Sequence, residues 1–256
     1  MDPLEAAIHA ARLAQGIHRY YQARGFTTAS KTTISDLVTE ADRAAEEAIR
    51  GFLLKQFPDH GLLGEEEGEV EGASGRPRWI VDPLDGTVNF AHGFPVYAVS
   101  IALEVKGRIE LGVVLDSAHD ELYTAVRGQG ARLNGQPIRV SDVRDFRRGL
   151  YATGFPYDVE RIPEAVRYFE NVIKHGVPVR RPGAAALDLA FVAAGRLDGF
   201  WELKLNPWDV AAGWLLVEEA GGRVTGLKDE PYRLGNPYIV ATNGHLHDEL
   251  LATLKS

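Results

Sequence analysis

Asp82 and Asp85 stand three residues apart at the end of an apolar run and directly before a glycine and a hydroxyl, in Trp79-Ile80-Val81-Asp82-Pro83-Leu84-Asp85-Gly86-Thr87-Val88-Asn89-Phe90. Clustered oxygen donors suit Mg²⁺, a hard cation that favours octahedral geometry and usually shares its ligands with substrate phosphates. The two carboxylates and the carbonyl of Leu84 could face one cation from a tight turn. Behind them, Gly86 lets backbone approach a ligand closely, and the N–H groups of Gly86 and Thr87 could open a short helix whose N-terminus holds an anion. A plain surface turn is the competing reading, because Asp, Pro and Gly are turn formers and Asp-Gly is a standard turn pair.

Three further segments bear on that choice. Gly64-Glu65-Glu66 lies close enough upstream for an acidic loop to fold back on the strand end, with Gly64 permitting a tight bend; consecutive glutamates are otherwise a solvated charge run. Asp209, in Asn206-Pro207-Trp208-Asp209-Val210-Ala211-Ala212-Gly213, falls in the first turn of a helix, where an acid often serves only the dipole and cap. Ala211, Ala212 and Gly213 would let that helix pack closely and bury the Asp209 end near the other carboxylates, where a buried charge needs a counter-ion. Asp36 and Asp42 flank Leu37-Val38-Thr39. For both, a turn or capping role and a catalytic role stand side by side.

The elements that must position these residues are legible from periodicity. Leu4 to Arg24 has apolar residues at helical spacing and stops at Gly25. Thr39-Glu40-Ala41-Asp42 resembles a capping box that opens a second helix, with Ala44, Ala48, Ile49, Phe52 and Leu53 as its apolar stripe, running to about Gln56. Residues 58 to 77, acidic and glycine-bearing, read as a mobile loop. Strands are predicted at 79–82, 96–106, 109–116 and 121–126, with a hairpin at Asn134-Gly135. Pro83 lacks the N–H to continue a central ladder, so a turn is expected there.

Beyond about residue 148 the rhythm changes to alternating strands (149–153, 177–180, 198–203, 238–241) and helices (163–174, 184–194, 208–220, 246–254), which suggests an α/β lobe. The expected organisation is an N-terminal α+β lobe, 1–145, and a C-terminal α/β lobe, 146–256, packed as one unit.

Composition removes several function classes. A net charge of -8 argues against nucleic acid or anionic membrane as main partners, since both reward basic patches. With no cysteine there are no disulfides, thiolate zinc sites or cysteine nucleophiles. The N-terminus shows no basic region followed by an apolar core, and no apolar run approaches the ~18 residues of a membrane span, so a cytoplasmic protein is expected.

Taken together, Asp36-Leu37-Val38-Thr39-Glu40-Ala41-Asp42, Gly64-Glu65-Glu66, Asp82-Pro83-Leu84-Asp85-Gly86-Thr87-Val88-Asn89-Phe90 and Trp208-Asp209-Val210-Ala211-Ala212-Gly213 with its Glu-Ala-Gly-Gly ending resemble the inositol monophosphatase family, in family order over essentially the whole chain. The resemblance implies a layered αβαβα sandwich of the sugar-phosphatase type, usually a homodimer, that is lithium-sensitive and hydrolyses phosphate monoesters with two or three Mg²⁺ ions. By that likeness Glu65, Asp82, Asp85 and Asp209 ligate metal through carboxylates and Leu84 through its carbonyl. Thr87 and Asp42 orient water, Asp36 and Glu66 lie near a weakly held third metal, and Lys31 matches a basic residue of a mobile loop. Asp85, Gly86, Thr87, Arg180, Gly183, Ala185, Glu202 and Asp209 match substrate-pocket positions, with Glu202 accepting from substrate hydroxyls. The implied substrate is myo-inositol 1-phosphate, attacked by metal-activated water, while Leu203-Lys204-Leu205-Asn206-Pro207 departs from inositol-specific members. Fructose 1,6-bisphosphate, histidinol phosphate, adenosine 3′,5′-bisphosphate and NADP are alternatives that use the same chemistry.

Two rivals are weighed against it. Haloacid dehalogenase phosphatases carry two aspartates two apart on one strand face, the first a covalent nucleophile; here the spacing is three, with Pro between. A regulatory binding protein on the phosphatase scaffold is the rival of another class, since bacterial relatives can take part in transcription complexes.

Overall fold

The computed structural model describes residues 1–30 and 37–256, so Lys31 and Asp36 lie outside the described residues. Helix α1 (Pro3–Arg24) opens with Asp2 accepting from the Leu4 and Glu5 N–H groups and with Pro3 in its first turn, where a missing N–H costs nothing. A short antiparallel pair, β1 (Thr28–Ser30) and β2 (Leu37–Thr39), leads to α2 (Glu40–Gln56), which has the capping box expected of Thr39 and Asp42. Next come β3 (Gly61–Gly64), β4 (Glu69–Val70), β5 (Arg78–Asp85), the one-turn helix α3 (Thr87–Ala91), β6 (Ala98–Val105), β7 (Arg108–Asp116) and β8 (Glu121–Val126). The hairpin of β9 (Ala131–Leu133) and β10 (Gln136–Ile138) turns on Asn134 and Gly135, both at positive φ as that tight turn demands.

These strands form one eight-stranded sheet in the order β10-β9-β8-β7-β6-β5-β3-β4, antiparallel except for β3 beside β5. The segment 58–77, expected as loop, thus contributes two strands. Gly61 to Gly64 is too short to show alternation, and only its parallel pairing with Arg78 to Val81 makes it a strand.

The second half holds β11 (Tyr151–Thr153), α4 (Ile162–Ile173), β12 (Val179–Arg180), α5 (Ala185–Ala193), β13 (Gly199–Leu203), α6 (Pro207–Glu219), β14 (Arg223–Thr225), β15 (Tyr238–Thr242) and α7 (His247–Leu254). Its five strands run β12-β11-β13-β15-β14. The strand at 223–225 had no signal of its own and is held by pairing with β15.

Alternation along the strands decides the layers. Trp79 and Val81 of β5 pack with α1 and α2, whereas Ile80 faces α5 and α6. In the second sheet Phe200 and Ile239 face the same α5–α6 layer, while Tyr151, Trp201 and Val240 pack against α4 and α7. The result is helix, sheet, helix, sheet, helix, the layered sandwich anticipated. Helix α6 sits tightly in the middle: Ala211 and Ala212 are fully buried, and a Cβ on Gly213 would come within 2.5 Å of Leu189 in α5. Among the described residues no helix is long and apolar enough to cross a membrane.

Candidate active site

The chain does not turn at Pro83. Strand β5 continues to Asp85, and between the pairs Asp82–Ser100 and Asp85–Ala98 it carries one more residue than β6. This β-bulge accommodates the proline, which has no ladder N–H to give. It also changes the parity of the strand. In a regular strand, residues three apart point to opposite faces; the extra residue makes them count as two apart. Asp82 follows Ile80 toward the α5–α6 layer, and Asp85 reaches the same side, where its Oδ2 accepts the Ala186 N–H at 2.8 Å.

Gly86 then takes φ +88°, and a Cβ there would lie 2.7 Å from the Val96 carbonyl oxygen, so only glycine makes this corner. The corner places Thr87 over the bulge. Its Oγ lies 2.8 Å from Asp42 Oδ1 and 2.9 Å from the Leu84 carbonyl oxygen, and its single proton serves one of them at a time. Asp42 uses its other oxygen on the Thr39 N–H and hydroxyl, at 2.8 and 2.6 Å. Asp42 therefore caps α2 through one oxygen and meets Thr87, which lines the cleft, through the other.

Glu65 from the β3–β4 turn and Asp209 from the first turn of α6 line the same cleft as Asp82, Leu84, Asp85, Gly86 and Thr87, a space of about 120 Å³ between the ends of the two sheets. Asp209 also closes a capping box, accepting the Asn206 N–H at 2.6 Å. Among the described residues no Lys or Arg lies within ion-pair distance of Asp82 or Asp85, although they are only 2% and 9% exposed. Burial, then the neighbouring charges of Glu65, Asp85 and Asp209, push the Asp82 carboxyl well above its ordinary range. Asp85 is raised likewise by burial and Asp209, against the pull of the Ala186 and Ala185 N–H groups.

Buried carboxylates crowded with their own kind and supplied with a backbone carbonyl form a hard, all-oxygen donor set, which fits a divalent cation. No group of three or more acidic or histidine side chains among the described residues already stands around one cation-sized point. Carboxylates that repel one another do not converge without positive charge between them.

Glu202 follows Phe200 onto the inner face of β13 and forms the opposite wall. Burial, and then the charge of Asp209, raise its carboxyl to about 8, against the lowering effect of Arg181. Gly154 makes room for it, since a Cβ there would fall 2.2 Å from the carboxylate oxygens. Gly183 and Ala185 line the cleft, the loop before α5 being tied to α3 by Asn89 Nδ2, which donates to the Pro182 carbonyl at 2.9 Å.

Two sequence-predicted residues fall elsewhere. Arg180 is exposed on the edge strand β12 with its guanidinium near the Val179 carbonyl, whereas its neighbour Arg181 lines the cleft. Successive residues of an extended chain point to opposite sides, so a one-residue shift exchanges them. Glu66 does not line the cleft; its N–H donates to Glu46 at 2.7 Å. Phe155, Tyr157 and Leu205 complete the cleft without a sequence signal. Asp188 in α5, 1% exposed and raised by burial and by Glu202, lies behind the wall, where its place among apolar residues was the legible hint.

A model of the inositol monophosphatase family matches residues 2–256. The protein named Nus factor SuhB in Pseudomonas aeruginosa is 44% identical, over 100% of this chain and 97% of that one. The crystal structure of extragenic suppressor protein suhB from Bartonella henselae superposes with a TM-score of 0.94 at 42% identity, covering 98% of each chain. The inositol monophosphatase from Anabaena (Nostoc) sp. PCC 7120 gives 0.88 at 39% identity, over 98% of this chain and 94% of that one.

Proposed function

Because this chain belongs to the inositol monophosphatase family, we propose that it hydrolyses a phosphate monoester with Mg²⁺, and that the substrate is myo-inositol 1-phosphate. The observation that carries this reading is the gathering of Glu65, Asp82, Asp85 and Asp209 from three distant segments around one cleft, beside a threonine held by a buried aspartate. Glu65, Asp82, Asp85, Asp209 and the Leu84 carbonyl would hold the cations, two or three in number. Bound there, Mg²⁺ supplies neutralisation of phosphoryl charge and activation of the attacking water.

The chain's own groups do the positioning on which phosphoryl transfer depends. If the Leu84 carbonyl were among the groups holding a cation, the Thr87 hydroxyl would donate its hydrogen bond to Asp42 Oδ1, and the Thr87 oxygen would be left to accept a hydrogen bond from the attacking water. Asp36, and Glu66 from outside the cleft walls, would serve a third cation. Glu202 and Arg181 face the alcohol half, the acid accepting hydroxyl protons and the guanidinium offsetting the carboxylate charge. The same reading takes the chain to be a lithium-sensitive homodimer.

Phosphate release, measured with and without Mg²⁺ on myo-inositol 1-phosphate, fructose 1,6-bisphosphate, NADP and adenosine 3′,5′-bisphosphate, tests it. The inositol ester should give the highest kcat/KM, and chelation should abolish release. A nucleotide or bisphosphate in first place would reassign the substrate; no release from any ester would overturn the reading. The name Nus factor borne by relatives at 44% identity favours a second role in a transcription complex. Recovery of RNA polymerase with the tagged protein tests that role independently of catalysis.

A further inference from the structure

Helix α2 carries a carboxylate that its apolar stripe would not predict. Glu46 is fully buried, on the same face as Ala45, Ile49 and Leu53, and it points at the β3–β4 turn. Its Oε2 accepts the Glu66 N–H at 2.7 Å and its Oε1 the Glu67 N–H at 2.9 Å. Gly64 has given up its side chain to this contact, because a Cβ there would sit 2.3 Å from Oε1. Arg50, one helical turn on, pairs with Glu46 at 3.0 Å, donates to the Gly68 carbonyl at 3.0 Å and reaches Glu67 at 3.2 Å. Gly64, Glu66, Glu67 and Gly68, on both sides of Glu65, are therefore all in contact with Glu46 or Arg50. Of the turn residues, Glu65 lines the cleft.

We propose that the Glu46–Arg50 pair is the positioning device for Glu65: it clamps the backbone on both sides of that residue so that its carboxylate is presented to the cation site. The inference rests on the reading of Glu65 as a metal ligand. A clamp of this kind acts through backbone N–H groups that need two acceptor oxygens. Glu46→Gln replaces one acceptor with a donor, so it sets an N–H against an N–H and removes the charge that holds Arg50. Outer-sphere partners of metal ligands commonly cost about 10–100-fold in metal affinity when lost.

The experiment is calorimetric titration of Mg²⁺ into the whole protein, with thermal unfolding of the metal-free form recorded alongside. Glu46→Gln is expected to weaken Mg²⁺ binding by roughly tenfold or more, while kcat measured at saturating Mg²⁺ recovers most of its wild-type value. Glu46→Asp, which keeps the charge on a shorter stem, should fall between. Ile49→Val, lowering the unfolding temperature from the same helix face, should leave the affinity unchanged. If Glu46→Gln does not fold, Glu46→Asp alone carries the test. Wild-type affinity in the glutamate variants, or an equal loss in Ile49→Val, would overturn the proposal. Glu65→Gln separates the two levels: if it also binds Mg²⁺ normally, the ligand reading has failed rather than the clamp.

Discussion

Two groups of buried carboxylates lie on either side of the β3–β4 turn, and they solve the problem of burial in opposite ways. Glu46 meets two backbone N–H groups and an arginine from its own helix. Asp82 and Asp85 each meet a backbone N–H, from Leu84 and Ala186, and otherwise face Glu65 and Asp209. The first group is complete within the chain, so its charge is an asset to the fold. The second sets like charges beside one another in a cleft, with no Lys or Arg within ion-pair distance of Asp82 or Asp85 among the described residues, and on the proposed reading a cation from outside completes it. Burial alone does not separate a structural acid from a functional one; the identity of its neighbours does.

The sharpest way to break this comparison is to neutralise one carboxylate of the second group. Asp82→Asn or Asp85→Asn should lower Mg²⁺-dependent kcat by more than tenfold, a loss above ~1.4 kcal/mol, yet leave the metal-free protein as stable as wild type or more so, because a like charge is removed. Steady-state phosphate release and apo thermal unfolding read both. A kcat above a tenth of wild type would remove the metal assignment, and an apo destabilisation matching that of Glu46→Gln would erase the contrast itself.

Proton linkage sharpens it next. A carboxyl whose pKa is raised on folding binds its proton more tightly in the native state, so stability falls as pH climbs from the unfolded pKa to the folded one and is level beyond. For Glu202 that window runs from about 4.3, the unperturbed glutamate value, to about 8, and Asp82 and Asp85 are raised in the same sense. The metal-free protein should thus unfold at a lower temperature at pH 8 than at pH 5. Mg²⁺ at a hundredfold excess over its dissociation constant should return about 2.7 kcal/mol. A pH-independent unfolding temperature without metal would show that the cleft carboxylates are compensated after all.

The smallest effects concern the two adjacent arginines. Arg181→Ala should raise KM for a polyol phosphate about fivefold, near 1 kcal/mol for a charge-assisted contact at a solvent-exposed position. Arg180→Ala, a surface change away from the cleft, should stay within about 0.5 kcal/mol. Equal effects would return Arg180 to the pocket.

Much of the frame was open to reading. Helix α2 was found from Thr39 and Asp42, and the tight hairpin from Asn134-Gly135, because caps and turns are settled by residues a few positions apart. The stripe of α2 is slightly out of phase with the expected one: Ala44 and Ala48 lie at its edge, while Ala41, Ala45 and Glu46 are fully buried. A glutamate four residues after Asp42 and four before Arg50 on that face was the available signal for the clamp. The missing N–H of Pro83 predicts the end of the strand, whereas in the fold it marks a bulge within it.

What the sequence by itself determined is which residues can do chemistry and which local elements carry them: Asp82, Asp85, Gly86 and Thr87 at a strand end, Asp209 in a first helical turn, Glu65 beside a glycine. These follow from backbone propensities and side-chain chemistry acting over a few residues. Only the tertiary structure decided that β5 bulges so that Asp82 and Asp85 share a face, that Gly61 to Gly64 becomes a strand, that Arg181 rather than Arg180 turns inward, and that Glu46 holds the turn bearing Glu65. Each of these depends on register between segments far apart in the chain, and register is fixed by pairing and packing partners that no local pattern names.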